Sequence, residues 1–370
     1  MKPIAIRNWK SIVPGNLSWD DLALGKSAIT LDKKLGVAAG VINKSNSTLI
    51  SQLSHQHKNY KQLDRSTLLA LSVVDKLESL PTNLGVNFGS SRGATTLLED
   101  SIIRLNNAQS LPTSTSPNTT LGNLSSWVGN HIGNQGIHLS HSITCSTGLH
   151  AILNGVAWIQ AGMAENMLCG ASEAPLTKYT VAQMQALKIY SKAQEKYACQ
   201  SMVWDKTQNT MVLGEASSAF LLGNGKSDLQ ITGIGWGTEQ ITHPANLSDS
   251  GECMQRSMRM ALKNANTQKV DAIVMHAPGT IKGDNAELNA IKAVFGNQPL
   301  ALTSNKWAFG HTFATSGLLS FDMALYMLQN QKWIPNPLNK YEAPAQLKTI
   351  MINAVGFGAN AVSVVISCVN

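Results

Sequence analysis

The spacing of apolar positions along the chain predicts helices and strands in succession. Helical spacing of leucine and valine is clear over residues 63–77. Two further buried helices are predicted over 148–161 and 316–328, where apolar residues recur at helical spacing. Short apolar runs bounded by glycine or polar turns predict strands. The predicted strands cover 84–91, 137–144, 166–171, 217–222, 270–275, 350–353 and 361–366.

The predicted elements fall into two similar parts. Residues 1–60 carry little pattern, and 109–123, rich in Ser, Thr, Pro and Asn, predicts a loop. A Gly/Lys/Ser turn at 223–227 separates the parts, so we place the division between 1–225 and 226–370. Because strands alternate with buried helices in both parts, the sequence predicts an α/β fold with helices covering the sheets.

The composition indicates a large buried core. The chain has 370 residues, of which 43% are hydrophobic and only 14% charged. No apolar run reaches the length of a membrane span and the first residues do not resemble a signal peptide, so a cytoplasmic location is expected. The net charge of +7 suits an acidic partner, although a merely basic surface explains it equally well. Without a dense Lys/Arg block interleaved with aromatic residues, nucleic acid is not expected as a partner.

Cys145 is the first candidate for chemistry. The five cysteines are odd in number and lack metal-type spacing, so no metal site is expected and a reducing compartment fits best. Cys145 lies where a predicted strand meets a predicted helix. A helix N-terminus supplies partial positive charge and free N–H groups, which lower the pKa of a thiol and bind an oxyanion. The alternative is a structural cysteine, the usual fate of a buried thiol.

Two histidines and a lysine complete the candidate set. His276 follows a predicted strand, at the carboxyl end where α/β proteins bind ligands. His311 follows Gly310 and precedes an apolar helix, while Lys306 lies in the loop before it. Taken singly, each histidine is explained as well by a structural role as by a catalytic one. Lys306 taken singly is explained as a surface lysine. A thiol and two distant histidines together indicate acyl transfer through a thioester.

The order and spacing of these segments resemble the elongating (type I/II) β-ketoacyl-ACP synthases of the thiolase superfamily. The resemblance extends from about residue 60 to the C-terminus. Its motifs are Thr144-Cys145-Ser146-Thr147-Gly148, His276 to Thr280 followed by Gly283-Asp284 and Glu287, Ser304-Asn305-Lys306, Gly310-His311, and Gly356-Phe357-Gly358 with Asn360.

The resemblance implies a fold and a reaction. The fold would be a thiolase-like layered αβαβα sandwich built from two similar halves. Cys145 would accept an acyl group, and His276 and His311 would promote decarboxylation of a malonyl unit and stabilise the enolate. Lys306 and Glu287 match residues that hold the histidine network. The product would be a 3-oxoacyl-ACP formed by a decarboxylating Claisen condensation.

The resemblance also implies binding residues and partners. The N–H groups of Cys145 and Phe357 would bind the thioester oxygen, and Phe357 would also gate the acyl pocket. Thr280, Gly310 and Gly358 match substrate-binding positions. The partner would be acyl carrier protein, which carries the phosphopantetheine, so no cofactor of the chain itself is expected. A homodimer, or a heterodimer with a ketosynthase-like paralogue, is expected.

Departures from the family pattern favour a specialised polyketide-, polyene- or fatty-acid-type synthase. Pro278 stands where the family has a threonine, and the turn at 356–360 is one residue short. Two alternatives stay open: a non-catalytic partner resembling a chain length factor, and an initiating synthase primed by acyl-CoA. A thiolase is disfavoured, because Cys368 lies in a hydrophobic strand rather than in a second catalytic motif.

Overall fold

The computed structural model describes residues 1–193, 196–240, 243, 247–296, 298, 300–339 and 341–369. The strands are β1 (Ile4–Ile12), β2 (Ile29–Asp32), β3 (Val37–Gly40), β4 (Gly85–Gly89), β5 (His138–His141), β6 (Asn166–Glu173), β7 (Leu213–Gly214), β8 (Ala216–Gly223), β9 (Leu229–Thr238), β10 (Ala272–Val274), β11 (Ala301–Thr303), β12 (Thr349–Gly356) and β13 (Asn360–Cys368). The α-helices are α1 (Trp19–Ala23), α2 (Lys44–Gln56), α3 (Arg65–Val74), α4 (Thr95–Asn106), α5 (Thr115–Thr119), α6 (Asn123–His131), α7 (Thr147–Gln160), α8 (Lys178–Ala186), α9 (Glu252–Ala265), α10 (Ile281–Phe295), α11 (Lys306–Phe309) and α12 (Ser316–Asn330).

The main sheet consists of two halves with the same strand pattern. The first half runs β1-β8-β6-β4-β5 and the second runs β9-β13-β12-β10-β11. In each half, each of the first three strands is antiparallel to its neighbour among them, and the last three strands are parallel to one another. The halves meet where Ile4 pairs with Ile231 and Ala5 with Gln230. The chain passes from one half to the other between Gly223 and Leu229.

Helices form three layers around the two halves of the sheet. The apolar helices α7 and α12 pack on each other in the middle, where α7 also contacts β13 and α12 also contacts β1. On the outer sides, α3 and α6 cover the first half, and α9 covers the second with α10 beside it. Helices and sheets therefore alternate in five layers, which confirms the predicted α/β sandwich of two similar halves. The N-terminal ends of α7 and α12 lie together in the central layer, where Gly148 faces Leu318 and Gly317 faces Leu149.

A small second sheet supports the segment that carries His311. It has the order β2-β3-β7, and β7 continues into an isolated bridge between Leu213 and His311. A side chain at Gly40 or Gly214 would collide with the carbonyl oxygen of Phe309, at 2.1 and 2.3 Å from the added Cβ. Glycine at both positions lets the backbone before His311 lie directly on this sheet.

The structure corrects two interpretations of the sequence. Residues 1–60 include β1, a central strand whose outward Arg7, Asn8 and Lys10 interrupt the apolar pattern. The segment 109–123 includes the short helix α5 and the first residue of α6. The structure therefore has a regular element in each stretch. Within the described ranges, no helix combines the length and apolar character needed to cross a bilayer.

Candidate active site

Cys145 lies in a sharp turn between β5 and α7. Thr144 has a φ of 46°, in the left-handed region, and α7 begins two residues after the cysteine. The end of β12 packs tightly on this turn: a Cβ at Gly356 would lie 1.9 Å from Thr144 Oγ1 and 3.0 Å from the Cys145 nitrogen. The Thr144 hydroxyl donates to the Phe357 carbonyl at 3.2 Å. The turn at Cys145 and the segment 356–357 therefore hold each other in place.

The resting thiol is a weaker acid than the helix N-terminus alone predicts. Cys145 is only 8% exposed. Burial, followed by the nearby Glu173 carboxylate, raises the pKa of the Cys145 thiol to about 12. This is opposite to the direction expected from the sequence, because desolvation of the thiolate outweighs the favourable groups around it.

Two backbone donors nevertheless favour the thiolate. Hydrogen bonds from the N–H groups of Cys145 and Phe357 lower the pKa of the thiol and partly offset burial, as does the charge of Lys306. These are the same two N–H groups that the resemblance assigns to the thioester oxygen. A pair of fixed backbone donors beside a nucleophile is the arrangement that stabilises an oxyanion.

His311 follows the helix α11 through a glycine turn. Gly310 has a φ of 73°, and a Cβ there would lie 2.8 Å from the Val212 carbonyl oxygen. The His311 N–H donates to that same oxygen at 2.6 Å. The Phe313 N–H donates to Nδ1 of His311 at 3.0 Å, so the neutral ring carries its proton on Nε2. Backbone contacts on both sides therefore fix this imidazole as a hydrogen-bond donor.

His276 lies just beyond β10 and is held by a buried carboxylate. Glu287, on α10, accepts the N–H of His276 at 2.9 Å and that of Ala277 at 2.8 Å. Ala277 has a φ of 26°, so the backbone after the histidine is strained. The rings of His276 and His311 are perpendicular, with centroids 5.3 Å apart. Nδ1 of His276 is buried and has no hydrogen-bond partner among the described residues.

Both imidazoles are neutral at physiological pH. Burial, then the charge of Lys306, lowers the pKa of His311 to about 3. Burial, then His311 and Lys306, lowers the pKa of His276 well below its ordinary value. A neutral imidazole donates one hydrogen bond without carrying a charge into the buried site.

Lys306 and Glu287 are both fully buried behind the histidines. Burial lowers the pKa of Lys306 to about 8, against the raising effect of Glu287, and its Nζ donates to Ser320 Oγ at 3.2 Å. Burial raises the pKa of Glu287 to about 7, although the hydrogen bonds from Ala277 and His276 oppose it. Glu287 contacts the backbone of the His276 segment, whereas Lys306 acts on both histidines through its charge.

One cavity of about 370 Å³ brings the predicted residues together. Cys145, His276 and His311 line it, as do Thr280 and Phe357. Thr280 also caps α10 by accepting the Gly283 N–H at 3.2 Å. Phe357 is 38% exposed at the cavity.

Two predicted binding residues stand apart from the cavity lining. Gly310 and Gly358 do not line it among the described residues. Both have positive φ, 73° and 84°, in the turns that carry His311 and Phe357. Their positions therefore shape these two turns through the backbone.

Sequence reasoning gave no role to Glu173, a buried carboxylate that joins the two halves. It ends β6, accepts the Ser91 N–H, and accepts the Ala314 N–H at 3.3 Å. Its Oε2 is buried without a hydrogen-bond partner in the described part of the chain. Burial raises the pKa of Glu173 to about 7. The available signal was a carboxylate two residues after the mainly apolar run 166–171, which predicts a buried strand.

Comparison with known proteins identifies the family. Residues 13–227 match the β-ketoacyl synthase N-terminal domain and residues 230–339 match the β-ketoacyl synthase C-terminal domain. The first match alone covers more than half of the chain. The chain belongs to the β-ketoacyl synthase family.

Individual relatives agree with this assignment. The ketoacyl synthase alpha subunit of the tetracenomycin polyketide synthase from Streptomyces glaucescens is 27% identical over 319 residues, covering 76% of this chain and 72% of that protein. A β-ketoacyl synthase structure from Burkholderia phymatum superposes with a TM-score of 0.87 at 20% identity, covering 100% of both chains. A chain of the ishigamide ketosynthase/chain length factor superposes with a TM-score of 0.87 at 16% identity, covering 100% of this chain and 99% of that one. The two structural likenesses show the fold.

Proposed function

We propose that the protein catalyses decarboxylating condensation of an acyl group with malonyl-ACP. The Cys145 sulfur attacks the donor thioester, a new C–S bond forms, and the departing pantetheine thiol takes up the thiol proton. Loss of CO₂ from the malonyl unit leaves its electron pair in an enolate. That carbon attacks the Cys145 thioester, so 3-oxoacyl-ACP forms and the cysteine thiolate is released and reprotonated.

The convergence of Cys145, two neutral histidines and two backbone donors on one cavity carries this proposal. His311 donates from Nε2, because its Nδ1 is already occupied by the Phe313 N–H. An uncharged donor pair suits the enolate oxygen, which gains negative charge as CO₂ leaves. The N–H groups of Cys145 and Phe357 stabilise the other oxyanion, on the thioester carbon. Each such donor is typically worth about 3 kcal/mol in the transition state.

The proposed partner is an acyl carrier protein, whose phosphopantetheine arm enters the cavity. The chain needs no cofactor of its own for this chemistry. The net charge of +7 favours an acidic carrier. Lys282 and Thr280 line the cavity at the start of α10, beside Phe357. A chain of another solved complex, a type II PKS acyl-carrier protein with its ketosynthase, has a TM-score of 0.83 to this chain at 20% identity. A reducing compartment such as the cytoplasm suits five free thiols.

A second ketosynthase-like chain is the other proposed partner. β5 is the last strand of its half, so its outer edge is open for pairing. Ile137, just before β5, is 39% exposed, and α4 exposes Ile102, Ile103 and Leu105 by 55–58%. α4 contacts α5, α5 contacts α6, and α6 contacts β5. Exposed apolar side chains along an open sheet edge favour a dimer, which light scattering would detect as a particle of two chains.

Acyl transfer to Cys145 tests the proposal directly. Wild type and Cys145→Ala are incubated with acyl-ACP or acyl-CoA donors and measured by intact-mass spectrometry, then supplied with malonyl-ACP. We expect one acyl group on wild type only, followed by 3-oxoacyl-ACP. Loading from acyl-CoA alone would support an initiating synthase. No loading, by the chain alone or with a ketosynthase paralogue, would support a non-catalytic role resembling a chain length factor.

A further inference from the structure

A guanidinium lies behind the aromatic ring that borders the nucleophile. Arg92 follows β4, and its Cζ is 5.9 Å from the centroid of the Phe313 ring. Phe313 belongs to the same apolar cluster as Cys145 and lines the same cavity. Among the described residues Arg92 does not itself line the cavity, but it contacts this ring, which does. Arg92 therefore belongs to the surroundings of the acyl pocket.

Arg92 has hydrogen-bonding capacity that the protein does not use. Its Nη2 donates to Gln183 Oε1, and to Thr180 Oγ1 at 3.4 Å. Its Nε is buried and has no partner among the residues that the structure describes. No carboxylate of the described ranges forms an ion pair with this guanidinium. A buried donor without an acceptor is unfavourable, and five N–H groups make arginine a ready partner for oxygen.

The wall of the cavity leads to Arg92 along α8. Thr180, Gln183, Met184 and Leu187 are spaced by three, four and seven residues from the first, so they share one face of the helix. Met184 and Leu187 line the cavity beside Cys145. Thr180 and Gln183, nearer the start of the helix, hold the guanidinium. One face of α8 thus extends from the cavity at Cys145 to the Arg92 guanidinium, whose Nε lacks an acceptor.

We infer that Arg92 is a specificity-determining residue for acyl groups whose chain carries a carbonyl or carboxylate oxygen. This inference rests on the proposed acyl transfer to Cys145. The apolar part of the chain packs on Met184 and Phe313, and its oxygen accepts from the Arg92 guanidinium. A fully saturated hydrocarbon chain gives Nε no acceptor. The substrate class is therefore an acyl chain that carries a further oxygen group. That group is either a ketone or the free carboxylate of a dicarboxylic acid whose other end forms the thioester.

Matched thioesters test the preference. Wild type is loaded with hexanoyl, adipoyl and the corresponding methyl-ketone pantetheine thioesters, and with the octanoyl and suberoyl pair, and Cys145 acylation is timed by intact mass. At one length or both, we expect oxygenated chains to load about 10- to 100-fold faster than the hydrocarbon, the range for a hydrogen bond to a charged group. Comparing the ketone thioesters with the dicarboxylate thioesters shows whether the guanidinium prefers a neutral or a charged acceptor.

Arg92→Met should reduce this ratio to about one, whereas Arg256→Met, on the exposed face of α9, should keep it. If Arg92→Met does not fold, Arg92→Lys decides, because it keeps a charge but loses Nε and should lower the ratio for the ketone. A ratio near one in wild type, or one unchanged in the Arg92 variants, overturns the inference. Absence of loading with every donor, ACP-bound donors included, would instead count against the proposed function.

Discussion

The Phe313 N–H donates to Nδ1 of His311 from a backbone with a φ of 45°. Few residues other than glycine adopt this conformation, and it aims the N–H back at the imidazole two residues earlier. The Phe313 ring also packs edge-on against the imidazole, with centroids 5.4 Å apart. Because Nδ1 accepts this hydrogen bond, the proton of the neutral ring is on Nε2. A strained turn thus sets the direction in which His311 donates.

The first prediction is that neither active-site histidine titrates near neutrality. Burial lowers the pKa of His311 to about 3 and that of His276 well below its ordinary value, so both rings are uncharged near neutral pH. NMR of protein with ¹³C-labelled histidine should show no inflection for either ring near neutral pH. His276→Asn and His311→Asn assign the two signals. An inflection near pH 6.5 for either ring would contradict this assignment.

The second prediction concerns Gly356, which touches the nucleophile turn. In Gly356→Ala the added methyl would meet Thr144 Oγ1 at 1.9 Å, so the turn must move. Overpacking of this kind costs about 1–3 kcal/mol of unfolding free energy. We expect a lower Tm and at least about a tenfold slower acylation of Cys145, since 1.4 kcal/mol in the barrier is tenfold in rate.

Gly122→Ala is the matched control for Gly356→Ala. A Cβ at Gly122 has nothing within 4 Å, and its φ of −67° suits alanine. This variant should keep the wild-type Tm and acylation rate. Equal behaviour of the two variants would show that the contact between Gly356 and Thr144 does not hold the nucleophile.

The third prediction is that Glu287 is needed for decarboxylation more than for acyl loading. Glu287→Gln keeps the shape but places an amide NH₂ against the N–H of His276 or Ala277. One buried donor then lacks an acceptor, at a cost of about 1–3 kcal/mol. We expect CO₂ release from malonyl-ACP to fall about 10- to 100-fold while acyl transfer to Cys145 persists. Glu252→Gln, 55% exposed on α9, should change neither rate.

The same carboxylate gives a pH dependence. Burial raises the pKa of Glu287 to about 7, so the folded protein protonates it as the pH falls through that value. A protonated carboxyl replaces one acceptor oxygen by a donor and cannot serve both backbone N–H groups equally. Decarboxylation by the wild type should therefore decline below about pH 7 and rise above it. A rate that is flat across that pH would show that the charge of Glu287 is not required.

The sequence predicted elements whose apolar residues recur regularly along the chain. The helical spacing over 63–77 and 148–161 corresponds to α3 and α7, most of whose residues are buried. β1 was missed, although it joins the halves, because Arg7, Asn8 and Lys10 alternate irregularly with its buried residues. Its role depends on strands more than 200 residues away, which local pattern does not report.

The site was predicted in part for a similar reason. The motifs led to Cys145, His276 and His311, which the structure places on one cavity. The ionisation of the thiol was not predictable, because the helix end is a local feature whereas burial and Glu173 arise from the folded surroundings. Arg92 was not singled out either, since its neighbours Thr180 and Phe313 are far along the chain.

The last prediction is that the Glu173 carboxylate keeps the resting Cys145 protonated. Burial is the main cause of the high thiol pKa, and the Glu173 charge adds to it. Above about pH 7, where Glu173 is ionised, Glu173→Gln removes that charge. The glutamine oxygen still accepts the N–H groups of Ser91 and Ala314. The pH profile of Cys145 alkylation by iodoacetamide should therefore shift to lower pH, with about a tenfold faster rate for each unit by which the pKa falls.

Two controls make the alkylation experiment specific. Cys145→Ser gives the background from the other four thiols, of which Cys368 is the only one that is not buried. Glu252→Gln removes a remote surface carboxylate and should leave the profile in place. A purely structural role of Glu173 would change the Tm without moving the alkylation profile. A slower rate in Glu173→Gln would contradict the proposed effect of its charge on the thiol.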